Sequence, residues 1–445
     1  MPSASLPAYR GEFDQDTDAT SAPHGVVAQA SSRPQRLHTW FNLIPVDEFE
    51  RTRPARVLFL DSFVTVSAGD GAYRVLFEGR DEMTAVVHIG VIFVWYGEHL
   101  LAPDRPFPTL FETTYPTRYI TSKPTIFHDT HVMDFVENGS DNLHFKIVHL
   151  WKHSRLYDHV VTADRITLKQ DTRFNYGACS MNPLIRLLSR VIPELELTHD
   201  YVYHGPCLAV VNATGRGAPP FHALVSLTPE GSNRTRVYVT MALSPETFPA
   251  WMERAYQRFV PDAHLCDLLC GLMANYIKNE FDVDAVIWKN RKWLPEPRLI
   301  ASERHLYDVI RWGETFYPRD FRYPEVPVRA EADKRWHFLD QRRALRRDRA
   351  TTYTIAGVDI VAYIDAEGRV RVFSAYCPHQ GAHLGHDAGG RIVNGCLRCP
   401  FHGFHFNSDG RCLGQNPENR DRFLPGLDLP EIAHRLLDDG IEVLL

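Results

Sequence analysis

Between Cys377 and His402 the chain reads CPHQGAHLGHDAGGRIVNGCLRCPFH, a C-x-H pair and, nineteen residues on, a C-x-x-H pair. Two thiolates and two imidazoles delivered from two loops must converge on one point, whatever the rest of the chain folds into. At these spacings the four side chains fit a [2Fe–2S] cluster of mixed ligation, with Cys377 and Cys399 on one iron and His379 and His402 on the other. Neutral imidazoles in place of thiolates lower the negative charge of the cluster and raise its reduction potential. Each pair lies in a Gly- and Pro-rich loop, CPHQGAHLG and CPFHGF, of the kind that wraps a cluster. A structural zinc loop is the competing reading. It draws on Cys396, which makes C-x-x-C with Cys399, but it leaves the C-x-H and C-x-x-H spacings unexplained.

The segment resembles the Rieske domain, specifically its oxygenase branch. In the respiratory-chain branch an extra disulfide would need cysteines where this chain has Ala382 and Phe401, so the resemblance implies loops without that bridge.

A second informative stretch, FHDTHVMDFVENGSDNLHFKIVHLWKH, starts as a loop and turns helical near Met133. It contains E-N-x-x-D-x-x-H-x4-H: Glu137, Asn138, Asp141, His144 and His149. Histidines five apart lie roughly 140° apart on an ideal helix and do not share a face. Either a local i→i+5 widening brings them together, or His149 sits at a frayed helix end. His128, His131 and His153 are read as structural. Further on, NEFDVDAVIWKNRKWLPEP offers Glu280, Asp282 and Asp284 as candidates for a carboxylate ligand. Two neutral histidines and one carboxylate on one face of iron(II) leave open positions for dioxygen, the facial triad of non-haem oxygenases. Any one of these acids taken alone is a solvated helix end.

The chain has 445 residues, enough for two or three domains with full cores. Its formal charge of −6 argues against nucleic acid as a bulk partner. No apolar run is long enough to span a membrane, and the acidic N-terminus lacks the apolar core of a secretory signal. Eight scattered cysteines do not make a disulfide framework, and cluster ligation needs reduced thiolates, so a cytoplasmic location is expected.

Residues 1–35, rich in Ala, Ser, Pro and Asp, read as a disordered tail. From 36 to 100 the runs TWFNLIPV, ARVLFLDSFVTVSA, YRVLFEG and TAVVHIGVIFVWYG are strand-like. Residues 155–245 read as an antiparallel meander with one apolar face. Helical character follows from Pro245 to Phe281, with an apolar stripe at Leu265, Leu268, Leu269, Leu272 and Met273; Cys266 and Cys270 on it are buried fillers. The meander and the long helix are expected to enclose an apolar pocket. Residues from Tyr317 to Val328 read as a linker. A short basic helix then carries Arg342, Arg343, Arg346, Arg347 and Arg349, and strands lead from it into the cluster loops.

The histidine stretch, a later carboxylate and the Rieske loops in one chain resemble the Rieske non-haem iron oxygenases over roughly residues 36–445. The resemblance implies an α+β fold: an antiparallel helix-grip catalytic domain at 101–325, a Rieske [2Fe–2S] β-sandwich at 326–445, and a cluster-less Rieske-like β-domain at 36–100. The sequence FDVDAVIWKNRKWLP is similar to the carboxylate region of members acting on steroids and sterols, where an Asp three residues before Ile-Trp is the ligand. Carried over, iron(II) is held by His144, His149 and Asp284, with Asp282 as runner-up. The implied activity is reductive activation of dioxygen and monooxygenation of a small apolar organic substrate; desaturation and N-oxidation are alternatives on the same iron. A non-catalytic Rieske electron carrier and a zinc-stapled binding protein are the rivals from other classes. No flavin or nicotinamide fingerprint is present, so a separate reductase or ferredoxin is implied. The arginines at 342–349 are either its dock or a solvated linker helix. Asp141, one turn before His144, is expected to accept a hydrogen bond from that imidazole. In the family the matching Asp also bridges to a cluster histidine of the neighbouring subunit of a trimer, which implies a homotrimer. In one respect the order departs from the family: the Rieske domain usually precedes the catalytic domain, and here it follows.

Overall fold

The computed structural model describes residues 33–445 apart from 70, 112–117, 176–186, 188, 191–193, 217–220, 232–233, 244–261, 295–296, 324–333, 387–389, 416–423, 425 and 439. The β-branched and aromatic runs form strands wherever the sequence places them. The first unit has two antiparallel sheets. In one, Thr39–Pro45 pairs with Val91–Tyr96, which pairs with Ala85–His88; in the other, Ala55–Phe59, Ser62–Gly69, Ala72–Phe77 and Asp81–Glu82 follow one another. A short helix, α1 (Val46–Thr52), joins the two sheets.

The tail expected over 1–35 ends sooner than composition suggests. Arg33 and Gln35 are buried, and Arg33 pairs with Asp134 and, at 2.7 Å, with Glu137. A guanidinium can be buried here because two carboxylates meet it.

The central unit is an eight-stranded antiparallel sheet. Six strands from His153 to Leu243 pair in chain order, and the last of them also takes Arg118–Thr121 and Thr125–His128. Helices α2 (Val132–Ser140) and α3 (His144–Ile147) precede the meander; α4 (Asp262–Trp288) and α5 (Arg304–Glu314) follow it. The helix expected to stop at Phe281 therefore continues to Trp288. Leu268 of the expected stripe is exposed, and Leu265 and Leu269 have side chains outside the described residues. The face turned inward is instead Cys270, Ala274, Ile277, Phe281, Asp284 and Trp288, a spacing of three and four that keeps one stripe on the core. Cys270 is a buried filler, as expected. The first unit shares its core with this one: Phe41, Phe59 and Val64 belong to the same apolar cluster as Phe135, Leu227 and Trp288.

The C-terminal unit repeats the plan of the first. Trp336–Gln341 pairs with Gly440–Leu444, which pairs with His434–Leu436, again first, last and penultimate strand. Thr351–Ile355, Val358–Ile364 and Val370–Ser374 make the meander. A third small sheet, Ile392–Val393, Cys396–Arg398 and His405–Phe406, lies between meander and penultimate strand and has no counterpart in the first unit. The basic helix expected at 342–349 is a single 3-10 turn, Arg342–Ala344. Beyond it the backbone is extended, because Leu345 and Ala350 are buried and Ile364 N–H bonds the Arg346 carbonyl. Among the described residues, no helix is long and apolar enough to cross a membrane.

Candidate metal centres

The faces of α2 and α4 that pack together also carry the polar groups. Phe135 meets Trp288 with ring centroids 4.7 Å apart and Phe281 at 5.1 Å. Burying side chains of this kind is worth about 1.5–3 kcal/mol each, which fixes the two helices against one another. One turn along from Phe135 and Phe281 stand Asn138 and Asp284, and Asn138 Nδ2 donates to Asp284 Oδ2 at 2.8 Å. Glu137, on the neighbouring face, receives Arg33 and, at 2.5 Å, Arg291. The E-N pair of the motif thus anchors and aims; neither residue is among the converging donors.

Helix α2 ends at Ser140, and Asp141 already has extended backbone (φ −92°, ψ 101°). The expectation that Asp141 and His144 lie one turn apart on a helix is therefore corrected. The carboxylate Oδ1 stands 4.0 Å from His144 Nδ1 and caps the new turn, accepting Leu143 N–H at 3.0 Å. It is the Asp141 backbone carbonyl that holds the imidazole, accepting from His144 Nδ1 at 2.6 Å. A carbonyl can only accept, so Nδ1 carries the proton and Nε2 offers its lone pair. That Nε2 is buried with no hydrogen-bond partner among the described residues.

Helix α3 closes with Val148 N–H on the His144 carbonyl, and Leu150 then turns left-handed (φ 56°). His149 sits past the helix end, which is how two histidines five apart come to face one another, ring centroids 5.1 Å apart. Its Nε2 lies 3.1 Å from Asp284 Oδ1 and its Nδ1 2.7 Å from Glu280 Oε2. Asp282 is exposed and Asp284 is 1% exposed; of the acids proposed from sequence, Glu280 reaches the outer nitrogen of His149 and Asp284 converges with both histidines. Donor atoms of His144, His149 and Asp284 lie within 4.8 Å of one another, all three residues buried. Ligands about 2.1 Å from one ion stand roughly 3–4 Å apart, so a small inward movement would close these donors around an ion. An imidazole lone pair without a partner, a second imidazole and a carboxylate are the donor set of a non-haem iron(II) site.

Burial lowers the His144 pKa to about 4 despite Asp284 and Asp141 nearby. Burial also works against the charge on His149, but Asp284 and Glu280 outweigh it and raise that pKa to about 10.

The second convergence is in the C-terminal unit. His379 and His402 are buried with their Nδ1 atoms 3.0 Å apart. Each Nε2 meets a carboxylate: His402 donates to Asp141 Oδ2 at 2.6 Å and His379 to Glu303 Oε2 at 2.7 Å. Carboxylates accept, so both protons sit on Nε2 and both Nδ1 lone pairs point to one place. Cys377 and Cys399 are buried beside them, and their thiols interact: the hydrogen bond from Cys377 lowers the Cys399 pKa to about 6, while burial raises that of Cys377. Two paired lone pairs and two adjacent thiols fit a [2Fe–2S] cluster of mixed ligation. Cys396 stands apart, on a strand, with its thiol directed at the Asn394 carbonyl. Ala382 and Phe401, where the disulfide of the respiratory branch would stand, are both buried.

At Asp141 a lowered pKa follows from its neighbours. Burial raises the carboxyl's pKa, but His402, its hydrogen bond and His144 more than offset this and hold it well below the ordinary carboxylate range.

Sequence reasoning missed Glu303. It follows a stretch with no motif spacing, and no local signal marks it; only the approach of Lys292 and of residues 298–303 to the cluster loops reveals it.

Comparison with known proteins agrees with this geometry. Residues 335–430 match the family described as the Rieske [2Fe-2S] domain, and residues 94–317 match the 3-ketosteroid 9alpha-hydroxylase C-terminal domain. Among curated relatives, cholesterol 7-desaturase nvd of Xenopus laevis is 47% identical over 60 residues, 13% of each chain. Aminopyrrolnitrin oxygenase PrnD of Pseudomonas fluorescens is 40% identical over 67 residues, covering 15% of this chain and 18% of PrnD. The oxygenase component of 3-ketosteroid-9-alpha-monooxygenase of Rhodococcus rhodochrous is 32% identical over 77 residues, 17% of this chain and 20% of the relative. The chain thus spans 13% to 20% of the length of these relatives. Among solved structures, NdmB of Pseudomonas putida CBB5 aligns over 62% of this chain and 90% of its own at a TM-score of 0.41 and 12% identity. Since the hydroxylase match alone takes in half the chain and the Rieske match follows it in sequence, the chain belongs to the Rieske non-haem iron oxygenases, with its Rieske domain at the C-terminal end.

Proposed function

We propose that this chain is a Rieske-type monooxygenase acting on a small apolar organic substrate. In this reading His144, His149 and Asp284 hold iron(II), while Cys377, His379, Cys399 and His402 hold the [2Fe–2S] cluster. The observation that carries it is the double role of Asp141: its carbonyl fixes one imidazole of the first donor set and its carboxylate fixes one of the second. When bound, the two groups supply dioxygen activation and single electrons. The chain's own residues do the rest. Asn138 aims Asp284, Glu280 faces the outer nitrogen of His149, and the Asp141 carbonyl keeps the proton on His144 Nδ1.

Trp151 and Phe174 stack at 4.6 Å between His149 and the inner face of α4, among Ala213, Ala223, Met241 and Ala274. These apolar surroundings of the proposed iron site support a hydrophobic substrate of steroid type, in keeping with the names of the hydroxylase family and of the relatives. Desaturation is the second reading, favoured by the 47% identity to a protein named cholesterol 7-desaturase. Electrons come from a separate reductase or ferredoxin, and the exposed arginines at 342–349 are its dock. A cytoplasmic location and assembly as a homotrimer complete the reading carried over from the family. The unit at 36–100 is a cluster-less Rieske-like domain, a reading supported by strand order shared with the C-terminal unit.

The test is metal and sulfide analysis with a visible spectrum, followed by oxygen uptake with a 3-ketosteroid and with cholesterol as probes under a ferredoxin–reductase couple. Cluster absorbance, a third iron and probe-dependent uptake are expected. A colourless protein, or a coloured one without the third iron, would overturn the proposal. Cys396→Ser should keep the colour and full sulfide content that Cys399→Ser loses.

A further inference from the structure

The two donor sets are joined inside one chain. Helix α5 runs with its start beside the end of α2: His305 Nε2 donates to the Ser140 carbonyl at 2.6 Å. This brings Glu303, just ahead of α5, and Asp141, just past α2, to one edge of the catalytic unit, and the cluster loops of the same chain sit on that edge. The seam is built at backbone level. Lys292 N–H bonds the Gly381 carbonyl at 2.9 Å, Arg298 N–H bonds the His379 carbonyl at 3.0 Å, and Gln380 Nε2 reaches Asp141 Oδ2 at 3.3 Å. Gly381 is required there twice over: its φ is +73°, and a Cβ would fall 1.7 Å from the Lys292 carbonyl oxygen. Ile287, Leu143, Val148 and Ile300 of the catalytic unit lie in one apolar cluster with Cys377, Leu384 and Phe401.

From this geometry we infer that electrons pass from the cluster to the iron site within a single chain, with Asp141 and Glu303 clasping the chain's own two cluster imidazoles. The inference rests on the metal assignments proposed above. Each imidazole has one outward N–H, and each is already taken by a carboxylate of the same chain, so neither is left for a neighbouring subunit. The route is short: His402 Nε2 to Asp141 Oδ2 is 2.6 Å, and the Asp141 carbonyl to His144 Nδ1 is 2.6 Å. Phe401 lies alongside, its ring 4.0 Å from His402 and 5.9 Å from His144. One electron would leave the reduced cluster, which is thereby oxidised, and would return the iron held by His144, His149 and Asp284 from iron(III) to iron(II). The protons on His402 Nε2 and His144 Nδ1 stay where they are, so no proton acceptor is needed. Glu303 is a positioning residue in this scheme: its carboxylate also accepts Ile300 N–H at 2.9 Å, which ties His379 to the turn before α5.

The test reads distance between paramagnets, not turnover. The full chain with both metals is reduced with dithionite and treated with nitric oxide, which binds iron(II) and makes it a paramagnet distinct from the reduced cluster. Spin relaxation of the cluster should then be several-fold faster than in Asp284→Ala, which keeps the cluster alone. Cys399→Ser and Asp284→Ala, carrying different tags, are co-expressed and isolated through both tags. Cys377→Ala replaces Cys399→Ser should the latter fail to fold by circular dichroism. Slow relaxation in such a hybrid, or no hybrid because the chain is monomeric, supports the inference when the wild type is fast. Fast relaxation in the hybrid would place the partner cluster in a neighbouring subunit and overturn it. Wild-type protein with both signals and no coupling also overturns it while sparing the proposed function. Absence of either signal sinks the metal assignments and this inference together.

Discussion

Glu303 Oε2 lies 2.7 Å from His379 Nε2, and both residues are buried. Reducing a cluster adds negative charge, and a carboxylate on its imidazole ligand opposes that addition. Glu303→Gln removes the charge and keeps the shape. The midpoint potential should rise by roughly 65–130 mV, the one-electron equivalent of about 1.5–3 kcal/mol for a hydrogen bond to a charged group. A redox titration followed by the visible spectrum measures it, and an unchanged potential would mean that the contact does not feel the cluster.

Asp141→Asn should leave both metal sites filled, because the carbonyl that holds His144 belongs to the backbone and survives the change. What is lost is the charged bond to His402 and the longer contact from Gln380 to the same oxygen. Reoxidation of a pre-reduced cluster in a single turnover should slow by roughly 100-fold. Loss of iron from this variant would show that the carboxylate, not the carbonyl, keeps the His144 ring in place.

Asp284→Ala should abolish iron binding with the cluster spectrum intact, and Asp282→Ala, at an exposed position, should bind iron as the wild type does. Glu280→Gln keeps the size but weakens the hold on His149 Nδ1, and iron(II) affinity should fall roughly 10–100-fold. Iron titration of the three variants separates these outcomes.

In the metal-free protein His149 has its pKa raised to about 10, above the ordinary value, so it is an imidazolium at neutral pH, while His144, at about 4, is neutral. Its contribution to metal-free stability is fully present below about pH 6.5 and is lost as pH rises through 10. Iron needs the neutral imidazole, so binding must release about one proton at pH 7, and affinity should fall about tenfold for each unit of acidification between pH 8 and 6. Calorimetry in buffers of different ionisation enthalpy counts that proton. Zero release would contradict the charge on His149.

The convergence of the proposed metal ligands was foreshadowed in the sequence because they come in local pairs. C-x-H, C-x-x-H and H-x4-H each fix two donors within one loop or turn, and pairing of that kind survives any packing of the rest. The strands were legible for the same local reason. What escaped depends on contacts between distant segments. Glu303 is 76 residues from His379, and nothing in its own neighbourhood distinguishes it from a surface acid. Arg33 looked like part of a polar tail until Asp134 and Glu137 met it. The arginines at 342–349 suggested a helix by composition, but pairing with neighbouring strands extends the backbone there. Of Asp282 and Asp284 it is the latter that lies on the side of α4 facing Phe135, and a helix read as ending at Phe281 hides that side.

The first and last units share one strand order and differ at one junction. Between the fourth and the penultimate strand the first has only 78–84, with the short strand Asp81–Glu82, and the last has 375–433, with every proposed cluster ligand in it. Lengthening a loop from seven residues to 59 is about three doublings, which costs roughly 2 kcal/mol in closure entropy. So small a cost makes the cofactor detachable cargo: one scaffold closes with a seven-residue connection and serves as a packing block, and the same scaffold, opened at that one joint, accepts a redox centre without redrawing the sheets around it.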